Sequence, residues 1–427
     1  MAQILTTSVS SFSRIYYVNP LAVGRLSGLN SGHAAKDWEA LCERVRDMGF
    51  NSILTAPLWL PVENSLIVPD DPDLPNPRLD DGHSLLDGLV RLADNCSQHH
   101  LRLMLDLVLD RAGENSALVR SNPAWYGKSA DAASQGPGHR HDCHATELCK
   151  TDAGRAPPEF IKSWEQRLVR WVEAGVAGFR CSAPHRLAAA DWQAIIQAVH
   201  ANNKDCRFLA WTPGLTPDEV GLLAGAGFDA TFSSLPWWDY RAPWLVEEHT
   251  RLRAIAPVIA LVADPAGQLS GLRTDQAGYQ QYVLRALWTA SVLGDGLMIP
   301  MGFEKNAGEP AVANANQWVK HTRNTASAQL YFLQGANAAY TALLRRDIQA
   351  GAATQAPARL LILNPNPDRA IELDWRALQS RLPDSYALIR PWDNRFHPQN
   401  GGPTLHTESY VNDPASTLGG IFPTVLP

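Results

Sequence analysis

Eight short apolar runs, separated by stretches with helical spacing, constrain this chain more than any other feature of it. They are "RIYYV" (14–18), "SILTAPL" (52–58), "LRLMLDLVL" (101–109), "GVAGFRC" (175–181), "RFLAW" (207–211), "FDATFSS" (228–234), "PVIALVA" (257–263) and "GLMIPM" (296–301). Strands that alternate with helices imply a parallel sheet, because a parallel pair needs a long crossover between its members. The intervening segments carry helix patterns and stops. "KDWEALCERVRDMGF" places Trp38, Leu41, Cys42, Val45 and Met48 at helical intervals before Gly49, and "FIKSWEQRLVRWVEAGV" repeats the device before Gly175.

Eight such units fit a (β/α)8 barrel, which tolerates insertions beyond its usual ~250 residues. An open doubly wound sheet is the rival, but no glycine-rich phosphate loop follows the first strand. Residues 1–305 are therefore expected to form the barrel. A long irregular stretch at about 110–158, rich in Gly, Ser, Asn and His, reads as a functional loop or a small insertion. After about Gly302 a helical region extends to "TALLRRDI", and "ARLLILNPN", "IELDW" and "SYALIRPW" follow. Residues 306–427 thus read as a helical connection and a small C-terminal antiparallel β domain.

Composition narrows the partners. A formal net charge of −6 and the lack of a Lys/Arg-rich run argue against nucleic acid. The N-terminus has no basic, apolar leader, and no run reaches the ~18 apolar residues of a spanning helix, so a cytoplasmic protein without membrane contact is expected. Six cysteines scattered over 427 residues are expected to be reduced thiols. Fourteen tryptophans exceed what a core alone needs, and sugar-stacking surfaces and protein interfaces both use indoles.

In a barrel of this type the chemistry sits where the strands end. The order "LMLDLVLDR", "GVAGFRCSAPH", "FLAWTPGLTPDEV" and "PVIALVADPAG" resembles the catalytic barrel of glycoside hydrolase family 13, the α-amylase family. "FLAWTPGLTP", "FSSLPWWDYRAPWL" and "LMIPMGFE" are similar to its maltosyltransferase branch. The resemblance covers about Arg14 to Glu304. It implies an aspartate where Asp106 stands, an arginine at Arg180, a nucleophilic aspartate at Ser182, an acid/base glutamate at Trp211 and a His-Asp pair at Ala263 and Asp264. The histidine of the Asp106 motif is replaced by Arg111. Three positions match and four do not, and both groups that perform the covalent and proton-transfer steps are among the replaced ones.

A retaining glycosidase works with two carboxyl groups about 5–5.5 Å apart. A serine hydroxyl ionises only with a base beside it, and an indole N–H is no acid for an alkoxide. An inactive family member is therefore expected: a scaffold, regulatory or assembly subunit, or a glucan-binding module. Asp106, Arg180, His185, Asp264, Trp237 and Trp238 are its candidate binding residues, and a protein partner, self-association or a maltooligosaccharide its expected company. The alternative is an active α-glucan glycosyltransferase or hydrolase that recruits relocated carboxylates from Asp110, Asp142, Glu147 and Glu219. Ser182 and His185 lack an identifiable orienting acid and oxyanion hole for a Ser-His nucleophile. Glu304 reads as framework. His139, His141, Cys143, His144 and Cys149 supply donors suited to zinc, but their spacing fits no finger pattern. No metal or cofactor is expected.

Overall fold

The structure, a computed structural model, describes residues 13–23, 34–63, 65, 67–79, 83–127, 145–151, 153–265, 279–321, 327–333, 340–348, 358–363, 365, 371–374, 385–389, 396–399 and 421–425. The chain opens with β1 (Arg14–Val18), α1 (Ala34–Asp47), β2 (Ser52–Thr55), a hairpin of β3 (Trp59–Pro61) and β4 (Pro69–Pro75), α2 (Leu85–Gln98) and β5 (Arg102–Leu107). An insertion follows: β6 (Arg111–Gly113), α3 (Ala117–Ser121), β7 (Tyr126–Gly127) and β8 (Ala145–Leu148). Next come α4 (Pro158–Glu173), β9 (Gly178–Cys181), α5 (Ala189–Asn202), β10 (Arg207–Ala210), α6 (Pro217–Gly221), β11 (Ala230–Phe232), α7 (Trp244–Ile255), β12 (Val258–Leu261), α8 (Tyr279–Leu293) and β13 (Gly296–Pro300).

Each of the eight apolar runs contains one strand of a closed barrel, in the order β1-β13-β12-β11-β10-β9-β5-β2. The helices form for the reasons their sequences suggest. In α2, Ser84 caps the first turn through Asp87 N–H, and Leu85, Leu89, Leu92 and Cys96 fall on one buried stripe. In α4, Phe160, Trp164, Leu168 and Trp171 do the same. Gly49 and Gly175 end α1 and α4 at φ of 84° and 99°, a left-handed turn that an L side chain resists.

The chain divides into two compact units. Residues 15–232 and 251–257 form one, with parallel pairing of β1 with β2, β2 with β5, β5 with β9, β9 with β10 and β10 with β11. Its aromatic core runs through Trp59, Trp164, Trp171, Phe179 and Phe208. The irregular stretch after β5 contains a three-stranded sheet, β6-β8-β7, and the short α3.

The other unit holds residues 1–14, 233–250 and 258–427. Within it, β13 is followed by α9 (Glu304–Ala307), α10 (Glu309–His321), β14 (Ser327–Phe332), β15 (Thr341–Ile348), β16 (Ala358–Leu363), β17 (Ile371–Asp374), β18 (Ser385–Ile389), β19 (Phe396–Gln399) and β20 (Ile421–Val425). The helical region stops at His321. "TALLRRDI" is instead strand β15, paired on both sides by β14 and β16 with Thr341, Ala342, Leu343, Leu344 and Arg345 all buried. Arg345 donates to Asp295 at 2.7 Å and to the Val292 carbonyl at 3.2 Å. The C-terminal sheet, β14-β15-β16-β18-β20, is mixed: its other pairs are antiparallel, but β16 and β18 run parallel.

Candidate functional site

The strand ends of the unit formed by residues 15–232 and 251–257 bring together Tyr17 from β1, Asp106 from β5, Arg180 from β9 and Trp211 just past β10. Asp106 and Arg180 are direct register partners, so their side chains leave neighbouring strands at one level. The Arg180 guanidinium grips the carboxylate with both edges: Nε donates to Oδ1 and Nη2 to Oδ2 at 2.7 Å. Tyr17 adds a longer bond, its hydroxyl donating to Asp106 Oδ2 at 3.3 Å. Two rings stack against the guanidinium, with Arg180 Cζ 4.6 Å from the Tyr17 centroid and 4.5 Å from that of Trp211. Such stacking is strong when it is out of water, as here.

This enclosure sets the electrostatics. Burial pushes the Asp106 carboxyl above the ordinary carboxylate range, and Arg180 and Tyr17 pull it back only in part. Burial also works against the charge on Arg180, but the adjacent Asp106 outweighs it and raises the arginine pKa further. Arg180 therefore stays cationic and the pair holds its proton balance through the carboxylate. Burial likewise drives the Tyr17 hydroxyl far above its usual value, with Asp106 reinforcing the effect, so it remains a donor.

Ser182 and Trp211 sit side by side. The Ser182 N–H donates to the Leu107 carbonyl at 2.8 Å and the Trp211 N–H to the Cys181 carbonyl at 3.0 Å, which extends the β5-β9-β10 ladder beyond its last residues. Ser182 is half-buried, two residues past Arg180, and so on the same side of the strand. Trp211 is buried, with its ring 5.2 Å from that of Phe232. The residue between the strand end and His185, Ala183, has φ 42° and ψ 51° without being glycine, a conformation that costs energy and turns the chain sharply after Ser182.

A second group of charges lies beside this turn. Arg111 reaches both Asp110 oxygens at 3.0 and 2.9 Å. Arg186 joins two of the relocated-carboxylate candidates: its Nη1 donates to Glu147 and lies 3.6 Å from Asp110. Glu219 closes a capping box at the start of α6, accepting from the Thr216 N–H at 2.8 Å, while its other oxygen is 3.7 Å from His185 Nε2. Burial lowers the His185 pKa, with Glu219 opposing. Asp142 lies outside the described residues, as do His139, His141, Cys143 and His144 of the proposed zinc-donor set. Cys149 is described and half-buried, and among the described residues no group of His, Cys, Asp and Glu could hold a metal ion.

The remaining candidates belong to the other unit. Asp264 is half-buried three residues past β12. Trp238 is buried, its indole donating to the Ala242 carbonyl at 2.8 Å and its ring 5.1 Å from that of Tyr240, so it serves local packing. Trp237 is half-buried. Glu304 is buried and accepts from the Gly302 N–H at 2.9 Å, in keeping with a framework role. Sequence reasoning missed the two rings stacked against Arg180. Tyr17 in "RIYYV" was legible only as a strand residue, because nothing local says which strand end it faces.

A parallel eight-stranded barrel with an insertion after its third strand, an Asp-Arg pair at the third and fourth strand ends and a C-terminal sheet defines an α-amylase-type protein. Comparison with known proteins gives the same placement. No family model matches the sequence. The α-1,4-glucan:maltose-1-phosphate maltosyltransferase of Burkholderia pseudomallei is 30% identical over 93% of this chain and 37% of its own length. Its namesake in Bifidobacterium longum is 28% identical over 53% of this chain and 33% of its own length. The chain thus spans only 37% and 33% of the length of these two relatives. Among solved structures, an α-amylase from Lactobacillus plantarum shares the fold at a TM-score of 0.58 and 17% identity, covering 78% of this chain and 87% of that one. The maltogenic α-amylase AmyB of Thermotoga neapolitana does so at 0.59 and 14%, covering 84% and 87%. The chain thus resembles glycoside hydrolase family 13 near its maltosyltransferase branch, through relatives that it spans in part and through the shared barrel fold. Among the described residues no helix is long and apolar enough to cross a membrane.

Proposed function

We propose that this chain engages α-glucan at the mouth of its barrel and that it does so without the family's usual two-carboxylate cycle. The observation that carries this reading is the Trp211 ring. It is stacked on an Arg180 that is already clamped to Asp106, and the sequence resemblance assigns Trp211 to the family's acid position and Ser182 to that of the nucleophile. A buried indole there excludes water, and it delivers no proton to a departing sugar oxygen. The protein then works as a glucan-binding module or as a scaffold, regulatory or assembly subunit, in a setting without membrane contact.

The relatives favour a second reading, an active α-glucan glycosyltransferase or hydrolase of the maltosyltransferase type that uses relocated carboxylates. One observation in the structure supports it. Asp110 and Glu147 converge on the same Arg186 nitrogen, which brings two carboxylates close together beside the Ser182 turn.

Incubating the purified chain with maltooligosaccharides, with and without maltose 1-phosphate, separates the readings. Tryptophan fluorescence reports binding and chromatography of labelled products reports turnover. Binding without turnover supports the first reading. Turnover lost in Glu147→Gln or Asp264→Asn supports the second, and neither binding nor turnover overturns the assignment to α-glucan.

A further inference from the structure

A separate concavity of about 440 Å³ lies within the unit formed by residues 15–232 and 251–257, between α1, the turn that follows β4, and the first half of α2. That volume is in the range of small-molecule sites. Leu58 and Leu85 give it an apolar side, and Trp38, Arg78, Arg91 and Asn95 give it a polar one.

Its polar groups are held in place by their surroundings. Asn76 fixes the turn that presents Arg78: its side chain accepts from the Arg78 N–H at 3.0 Å, its own N–H donates to the Leu58 carbonyl at 2.9 Å, and its carbonyl accepts from Leu79 at 2.8 Å. Arg91 is steadied by His83, with Nη1 2.9 Å from Nε2. Both arginines are exposed at the cavity. Asn95, half-buried one turn beyond Arg91 on the same helix, also lines the cavity.

Gly88 is the most telling residue. It stands inside α2, where glycine costs about 1 kcal/mol relative to alanine. No neighbour demands it, because a Cβ built there meets nothing within 4 Å. Its effect is to leave the cavity wall open at the helix backbone.

We propose that this cavity binds a phosphorylated mono- or disaccharide. The phosphate pairs with Arg78 and Arg91 near the start of α2. The sugar lays its C–H face on the half-buried Trp38 indole. The site is independent of the strand-end residues and of the glucan reading above.

Isothermal titration of the full chain with glucose 1-phosphate tests it, with maltose and inorganic phosphate as parallel probes. Glucose 1-phosphate is expected to bind at least tenfold more tightly than either. Arg78→Gln and Arg91→Gln, both on the surface, are expected to weaken it tenfold or more. Gly88→Leu, which fills the opening and favours the helix, is expected to abolish binding without lowering the melting temperature. Trp38→Phe is expected to remove the ligand-induced fluorescence change. Absence of binding by the native chain overturns the proposal. So does equal binding of maltose or of phosphate, or unchanged affinity in Gly88→Leu or Arg91→Gln.

Discussion

Removing one partner of the Asp106–Arg180 pair should cost far more than removing both, and the cost should depend on pH in only one of the two single variants. Asp106→Ala leaves a guanidinium that is 8% exposed, stripped of two charge-assisted hydrogen bonds and still stacked against Tyr17 and Trp211. Arginine does not deprotonate, so the uncompensated charge remains, and the expected loss is about 3–5 kcal/mol. Arg180→Met leaves Asp106 instead, at a similar cost near neutral pH. There the carboxyl has an escape: burial already raises its pKa, and without Arg180 it rises further, so acidification protonates it and returns part of the loss. Replacing both, as Asp106→Leu with Arg180→Met, removes the buried charges together and should cost less than the sum of the single changes by at least 2 kcal/mol. Urea unfolding monitored by tryptophan fluorescence at pH 7.5 and 5.5 reads all three. Single-variant losses under about 1 kcal/mol, additivity in the double variant, or the same pH response in Arg180→Met and Asp106→Ala would refute the account.

Three further expectations follow from other parts of the fold. Asp73 has its pKa lowered overall: burial raises it, but hydrogen bonds and charge from Arg167, together with Arg170, win. Its stabilising effect is then complete above the ordinary aspartate value and fades as pH falls through the lowered one, so Asp73→Asn should flatten the acid limb of a stability-pH curve. Gly178 in β9 has no room for a methyl group, since a Cβ would come within 2.7 Å of the Arg207 carbonyl and 2.5 Å of Met104 Cε. Gly178→Ala should therefore destabilise by about 1–3 kcal/mol in denaturant titration. Among the described cysteines, Cys42, Cys96, Cys181 and Cys206 are buried, and burial pushes Cys206 up to about 12, so an aromatic disulfide reagent should modify Cys149 first and these four only on unfolding.

The barrel was legible in the sequence because its evidence is local. A strand buried on both faces must be a short apolar run, and a helix packed outside it must repeat its apolar residues every third or fourth position. The runs at 14–18 and 296–301 could be read as strands without knowing that the barrel order places them side by side. The C-terminal region was less legible. "TALLRRDI" carries apolar and basic residues that suit a helix as well as a strand, and the choice came from burial of Arg345 against Asp295, some fifty residues earlier. The parallel pairing of β16 with β18 depended in the same way on a partner that no local pattern names.

At the candidate site the division is similar. The identities at the strand ends, Asp106, Arg180, Ser182 and Trp211, belong to the sequence, and they settle which protons and charges are on hand, since a serine and an indole have fixed chemistry wherever they fold. The tertiary structure decided what those groups do to one another. It turned Arg180 and Asp106 into a closed pair, set Tyr17 and Trp211 against the guanidinium, drew Asp110 and Glu147 onto Arg186, and opened a cavity beside Gly88. Burial, ring stacking and charge pairing act over a few ångströms between residues far apart in the chain, and only the fold determines which residues come that close.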